Sequence, residues 1–177
     1  DMCSAPGGKS ITAAQYMNNR GSVKAFDIHE HKINIIEQNA KKYGTSIIKA
    51  AVNDSSDFVP ELTATADKVI CDVPCSGLGI IRKKPDIRFK DANSILDLPD
   101  IQLRILKNAA SYLKPGGRLL YSTCTVIREE NTDIITKFLG ENPDFSLVPF
   151  DTPITGNTPG YITLLPHRHN CDGFFIA

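Results

Sequence analysis

Apolar positions along the chain follow two alternating rhythms. Short runs dense in apolar and β-branched residues, "SVKAFDI" (22–28), "SIIKAAV" (46–52) and "DKVICDV" (67–73), predict strands. Between them the spacing turns helical. Residues 9–19 read as a helix. Residues 29–43 read as another, with Ile33, Ile36, Ala40 and Tyr43 on one face and Gly44 as its stop. A third helix spans 100–113, its apolar face running through Ile101, Leu103, Ile105, Leu106, Ala109, Ala110 and Leu113. "LKPGGRLLYSTC" (113–124) reads as a helix exit, a tight turn and a strand, and 128–140 as the last clear helix. A long proline-containing loop is expected over 74–99, and short strands with turns over 145–177. The chain opens on "DMCSAPGGKS", a strand end and a glycine turn with no strand before it, so a missing upstream part is expected.

Strands alternating with helices make βαβ units, and hence a mostly parallel α/β sheet covered on both faces. Ligands of such sheets gather at the carboxyl ends of the strands. Asp27, Asp72, Cys75 and Cys124 stand at those ends, and the four are expected to converge on one rim.

Composition narrows the class. A length of 177 residues suits one domain, and 41% hydrophobic with 23% charged residues is ordinary for a soluble globular protein. No apolar run approaches the length of a membrane helix and no signal peptide opens the chain. The formal net charge is zero, so the chain as a whole is no electrostatic magnet for polyanions. The dense basic stretch is "IRKKPDIRFK" (81–90), a solvated loop or a phosphate grip. Five widely spaced cysteines, an odd number, point to reduced thiols in the cytoplasm. No paired CxxC or nearby Cys/His set completes a zinc site; "HRHNC" (167–171) could in principle add ligands, but no metal site is expected.

"CSAPGGKS" ends like a P-loop, but Cys3 stands where a P-loop needs its first glycine, and GxGxxG is absent. What remains is a strand-to-helix turn in which Gly7 and Gly8 let a ligand approach the backbone. Asp27 follows Gly8 by 19 positions, close to the spacing at which α/β nucleotide sites place the carboxylate for ribose hydroxyls. Together these features suggest an adenosine-bearing cofactor.

Buried cysteines are usually small hydrophobes, which suffices for Cys71 and Cys171. Cys75 and Cys124 differ, because each sits past a strand end among turn-forming or hydroxylated neighbours. One chemistry needs a soft nucleophile beside an acid and a nucleoside cofactor. C5 of a pyrimidine is too electron-poor to accept a methyl group. A thiolate adding at C6, with an acid serving N3, makes C5 an enamine-like nucleophile. Asp72 would then handle the base edge and the two thiols covalent addition and release.

The motifs "DMCSAPGGKS", "AFDIHEHK", "DVPCSGLGIIRKKPDIRF", "LKPGGRLLYSTCT", "EEN" and "LLPHRHNCDGFFIA" resemble, in order and over the whole chain, the Sun/Fmu (RsmB-like) ribosomal RNA cytosine-C5 methyltransferases of the NOL1/NOP2/Sun group. The resemblance implies a class I S-adenosylmethionine-dependent methyltransferase fold, Rossmann-like. Its last strand, near "GFFIA", would be antiparallel and inserted beside "GRLLYS", and its first strand would be largely missing. It implies S-adenosylmethionine as cofactor, held by Cys3, Ser4, Ala5, Pro6, Gly7, Gly8 and Lys9, with Asp27 on the ribose, Asp54 near the adenine and Asp72 near the methionine end. Lys9 keeps a second reading as an exposed first-turn lysine.

The resemblance also assigns Cys124 as the nucleophile and Cys75 as the thiol that helps release product; DNA enzymes use the cysteine after the proline instead. The whole of 1–177 would be a catalytic domain. Its partner would be ribosomal RNA, small-subunit RNA by analogy, with an unstacked cytosine drawn into a pocket. No DNA or membrane partner is expected, and the protein would be a cytoplasmic monomer. With its first strand absent, the sheet is expected to carry a gap flanked by unpaired backbone, and the isolated chain to be marginal. An inert cofactor- or RNA-binding module is disfavoured by the intact Cys75, Cys124 and Asp72. A nicotinamide dehydrogenase and a thiol-redox protein are disfavoured by the missing GxGxxG and CxxC.

Overall fold

The computed structural model describes residues 1–91 and 93–177. In chain order the elements are α1 (Gly8–Tyr16), β1 (Val23–Asp27), α2 (Glu30–Lys42), β2 (Ile48–Val52), β3 (Ala66–Asp72), α3 (Asn93–Leu96), α4 (Leu98–Tyr112), β4 (Leu113–Thr123), α5 (Thr132–Glu141), β5 (Phe150–Thr152), β6 (Gly156–Thr158), β7 (Ile162–Leu164), α6 (Pro166–His169) and β8 (Phe174–Ile176). The chain divides into two compact units, 1–72 with 108–119, and 73–107 with 120–177, so α4 and β4 contribute residues to both.

In the first unit β1 and β2 pair in parallel, from Val23 opposite Ile48 to Asp27 opposite Val52. α2 lies between them in sequence. It buries Ile36 and Ala40, carries Glu30 in its first turn and Lys41 and Lys42 in its last, and meets Gly44 at φ +67° just beyond its end. That is the charge order a helix dipole favours. β3 is a hydrogen-bonded neighbour of β4.

The expected gap in the sheet is largely filled by the first four residues. Met2 N–H donates to the Ile70 carbonyl at 2.9 Å, Ser4 N–H to the Phe26 carbonyl at 2.7 Å, and Phe26 N–H to the Asp1 carbonyl at 2.9 Å. The backbone of β1 and β3 therefore finds partners across 1–4, and Met2 is buried there. β4 takes in the tight turn predicted from "KPGG": Gly116 adopts φ +76°, and a Cβ on Gly117 would stand 2.8 Å from Leu113 Cδ2 and 3.0 Å from the Asp67 carbonyl.

In the second unit the end of β4 pairs antiparallel with β8, Ser122 opposite Ile176 and Thr123 opposite Phe175. β8 pairs antiparallel with β7, and β5 with β6. The inserted antiparallel last strand is thus where the resemblance put it. Tyr121 and Phe175, both fully buried, meet edge to face at 6.2 Å in this core. The 74–99 stretch is less irregular than predicted, with 3-10 turns at Leu78–Ile80 and Pro85–Phe89 before α3. Among the described residues no helix is long and apolar enough to cross a membrane.

Candidate active site

In the first unit, the turn from the opening segment into α1 frames a cavity of about 330 Å³. Gly7 caps the helix at φ +100°, a conformation that favours glycine. A Cβ on Gly8 would meet nothing within 4 Å, so backbone is presented to open space. Cys3, Ser4, Ala5, Pro6, Gly8, Lys9 and Asp72 line the cavity together, with Gly7 forming the turn behind them. Ser4 and Ser10 share a hydrogen bond of 2.9 Å that ties the turn to the helix. Lys9 Nζ lies 2.5 Å from Asp72 Oδ2. Lys9 is thus an exposed first-turn lysine that also pairs with Asp72 at the cavity wall.

Asp27 and Asp54 do not line this cavity. Asp27 is buried at the end of β1, where Oδ1 accepts the His29 N–H at 3.0 Å and meets Lys32 Nζ at 3.4 Å. Asp54 Oδ1 accepts both the N–H and the hydroxyl of Ser56, a local Asx turn. Both are still close enough to act on Cys3. Burial first, then the charges of Asp27, Asp72 and Asp54, push the Cys3 thiol up to about 12. The charges of three predicted carboxylates thus act on one thiol.

The other two predicted residues meet in the second unit. Cys75 Sγ and Cys124 Sγ are 3.2 Å apart, and the Cys124 N–H points at Cys75 Sγ from 3.3 Å. The hydrogen bond to Cys124, followed by burial and the neighbouring sulfur, pushes the Cys75 thiol well above the ordinary range. The approach of the two loops is set by glycines. Gly79 N–H donates to the Cys124 carbonyl at 3.0 Å and Gly173 N–H to the Gly79 carbonyl at 2.8 Å. A Cβ on Gly79 would stand 2.2 Å from the Gly173 carbonyl oxygen. Cys71 is fully buried in β3, as its reading as a small hydrophobe requires.

Sequence reasoning missed Glu130. It is 2% exposed, and its Oε2 accepts the Ser76 N–H, next to Cys75. Its position in "EEN" was the available signal. Asp172 was missed too. It holds Lys83 at 2.6 Å and Arg82 at 3.4 Å, so two of the cations assigned to phosphate binding also tie the 81–90 loop to the chain end. Arg88 and Phe89 remain exposed, with the guanidinium 5.8 Å over the ring.

An α/β chain with a glycine-turn cavity at a strand end and a pair of thiols in contact falls in the methyltransferase class. The model of the 16S rRNA methyltransferase RsmB/F family matches residues 1–177, and the chain belongs to that family. It is 40% identical over its whole length to a probable ribosomal RNA small subunit methyltransferase B of Bacillus subtilis and 34% identical to a ribosomal RNA small subunit methyltransferase F of Erwinia tasmaniensis. It spans 41% and 38% of those relatives' lengths. Among solved structures, NSun6 from Pyrococcus horikoshii, determined with the S-adenosylmethionine analogue SFG, is 31% identical with a TM-score of 0.84. That match covers all of this chain and 46% of the other. The crystal structure of PH0851 matches with a TM-score of 0.93 at 39% identity, over all of this chain and 41% of the other.

Proposed function

We propose that the protein transfers a methyl group from S-adenosylmethionine to C5 of a cytosine in small-subunit ribosomal RNA, in the cytoplasm, with residues 1–177 as its catalytic domain. The observation that carries this reading is the thiol pair, Cys75 and Cys124 in contact at 3.2 Å past the ends of β3 and β4. A methyltransferase acting on nitrogen or oxygen has no use for two adjacent thiols. Methylation at a pyrimidine carbon needs one to add and a second to assist departure.

The first unit fits the cofactor. Cys3 through Gly8 offer an open backbone turn, Asp27 a carboxylate for ribose hydroxyls, Asp54 one near the adenine, and Asp72, paired to Lys9, one near the methionine end. S-adenosylmethionine supplies an electrophilic methyl group there. Cys124 acts as a thiolate. Its sulfur bonds to C6, the C5–C6 π pair moves to C5, and Asp72 passes a proton to N3 of the base and takes it back on release. C5 takes the methyl group and then gives up its proton to solvent water. The S–C6 bond breaks and its electron pair returns to Cys124 as the C5–C6 double bond re-forms. Cys75, holding a proton beside the Cys124 sulfur, assists that departure. Family membership supports ribosomal RNA as the substrate.

The test is covalent trapping. Purified wild type, Cys124→Ala and Cys75→Ala are incubated with cofactor and small-subunit ribosomal RNA transcribed with 5-fluorocytidine. Fluorine at C5 blocks proton loss, so an adduct persists on a denaturing gel. Cys75→Ala should trap RNA and Cys124→Ala should not. The reverse pattern assigns Cys75 as nucleophile and overturns the reading.

A further inference from the structure

We propose that Glu130, acting through Gln102 and the backbone around Cys75, is a positioning residue for the release thiol. This inference rests on the reading of Cys75 given above.

Cys75 sits between two peptide groups that are both tied to one buried side-chain pair. Before it, the Pro74 carbonyl accepts Gln102 Nε2 at 2.9 Å. After it, the Ser76 N–H donates to Glu130 Oε2 at 2.9 Å. Gln102 Nε2 also donates to the same Glu130 oxygen at 2.8 Å, which closes the bracket. Gln102 is 0% exposed and Glu130 2%. Glu130 is itself held, because its carbonyl accepts the Tyr121 hydroxyl at 2.7 Å. The remaining groups of Ser76 are engaged too, its hydroxyl with Thr125 at 2.7 Å and its carbonyl with Lys90 Nζ at 2.9 Å.

Glu130 Oε1 is buried and has no hydrogen-bond partner among the described residues. A carboxyl group buried with one oxygen unsatisfied is costly. Such a cost is expected where a strong acceptor must fix a backbone donor in one place. The thiol so fixed is Cys75 and not Cys124, whose carbonyl is held instead by the Gly79 N–H. Loosening Glu130 should therefore displace the thiol that assists departure more than the thiol that attacks, whose neighbours Thr123 and Thr125 are also held by Asn131.

That asymmetry separates positioning from simple support. Purified wild type, Glu130→Ala, Glu130→Gln, Gln102→Ala, Cys75→Ala and Cys124→Ala are incubated with S-adenosylmethionine and an unmodified small-subunit ribosomal RNA transcript carrying ordinary cytidine. Covalent RNA–protein complex is read on a denaturing gel, turnover by methyl transfer, and folding by circular dichroism. Glu130→Ala should accumulate adduct about tenfold above wild type while turnover falls by a similar factor. Cys75→Ala should do the same, and Gln102→Ala, which frees the Pro74 carbonyl and one donor to Glu130 but leaves the Ser76 N–H bond to Glu130, should do so more weakly. Glu130→Gln keeps an acceptor for Ser76 and should stay within about threefold of wild type. Adduct and turnover falling in parallel in folded Glu130→Ala would make Glu130 merely structural and overturn the proposal. If Glu130→Ala does not fold, Gln102→Ala decides in the same way. If Cys75→Ala itself builds up no adduct, the release role of Cys75 fails first and the inference falls with it.

Discussion

Lys9 Nζ and Asp72 Oδ2 form an ion pair at 2.5 Å between the first turn of α1 and the end of β3, 63 residues apart in the chain. The lysine fixes the direction of a carboxylate proposed to serve the target base. Asp72→Asn should lower kcat/KM by about 10²–10⁴-fold, the usual worth of a positioned acid or base. Lys9→Met, which removes the orienting partner, should cost about tenfold in kcat/KM, with some loss of cofactor binding because Lys9 lines the cavity. Methyl-transfer kinetics with calorimetric titration of the cofactor check both. Equal losses in the two variants would mean that Lys9 contacts a reactant itself.

Asp172 holds two cations of the 81–90 loop and should act on stability as well as on RNA. The hydrogen bond from Lys83, with the Lys83 and Arg82 charges behind it, keeps its carboxyl below the ordinary value of 3.8. A depressed carboxylate contributes stability above its unfolded pKa and loses it as pH falls through the folded one. Asp172→Asn should therefore lower Tm by about 2 °C at pH 7 and leave it unchanged near pH 2. A difference that persists undiminished in acid would show that the ion pairs are not its source.

The strand-and-helix alternation through β3 was legible because each element carries its own period, and Gly44 marks the end of α2 without tertiary help. The antiparallel tail was not legible that way. "FFI" at 174–176 is too short to show its direction, which followed from the family resemblance alone. The 85–89 turn was read as plain loop because Ile87 gains its burial from a distant neighbour; a Cβ on Gly77 would stand 3.1 Å from Ile87 Cδ1. Each predicted thiol and carboxylate could be picked out one by one, since acids and cysteines at strand tips are conspicuous. Their partners could not. Glu130 on Ser76, Asp172 on Lys83 and Lys9 on Asp72 are pairings over 54, 89 and 63 residues, and local pattern carries no trace of them.

The largest cause of the raised Cys75 pKa is its hydrogen bond to Cys124, so removing that partner should sharpen its reactivity. Only the thiolate alkylates. In Cys124→Ala, the midpoint of the pH profile for iodoacetamide modification of Cys75 should move down, giving about a tenfold faster reaction at pH 8 for each unit gained. Following the midpoint separates this from greater access, which raises the rate at every pH alike. Peptide mass spectrometry measures it, and an unmoved midpoint would sink the idea that Cys124 holds the Cys75 proton. In wild type Cys3, raised from 9.0 to about 12, should react slowly throughout this range.

Two glycine-to-alanine substitutions should move stability in opposite directions. A Cβ on Gly79 meets backbone on two sides, the Gly173 carbonyl oxygen at 2.2 Å and the Cys124 carbonyl oxygen at 2.8 Å. Neither can rotate away, so the loops carrying Cys75 and Cys124 must separate. Gly79→Ala should cost about 1–3 kcal/mol, in the manner of an overpacked core, and weaken adduct trapping as the sulfur contact opens. Gly140 lies in α5 with nothing within 4 Å of its Cβ direction. Gly140→Ala relieves backbone entropy without a clash and should stabilise by about 0.5–1 kcal/mol, leaving trapping unchanged. Denaturant unfolding of both variants beside the 5-fluorocytosine trap distinguishes them. Normal trapping by a destabilised Gly79→Ala would mean that the close approach of Gly79 to Cys124 and Gly173 serves folding alone.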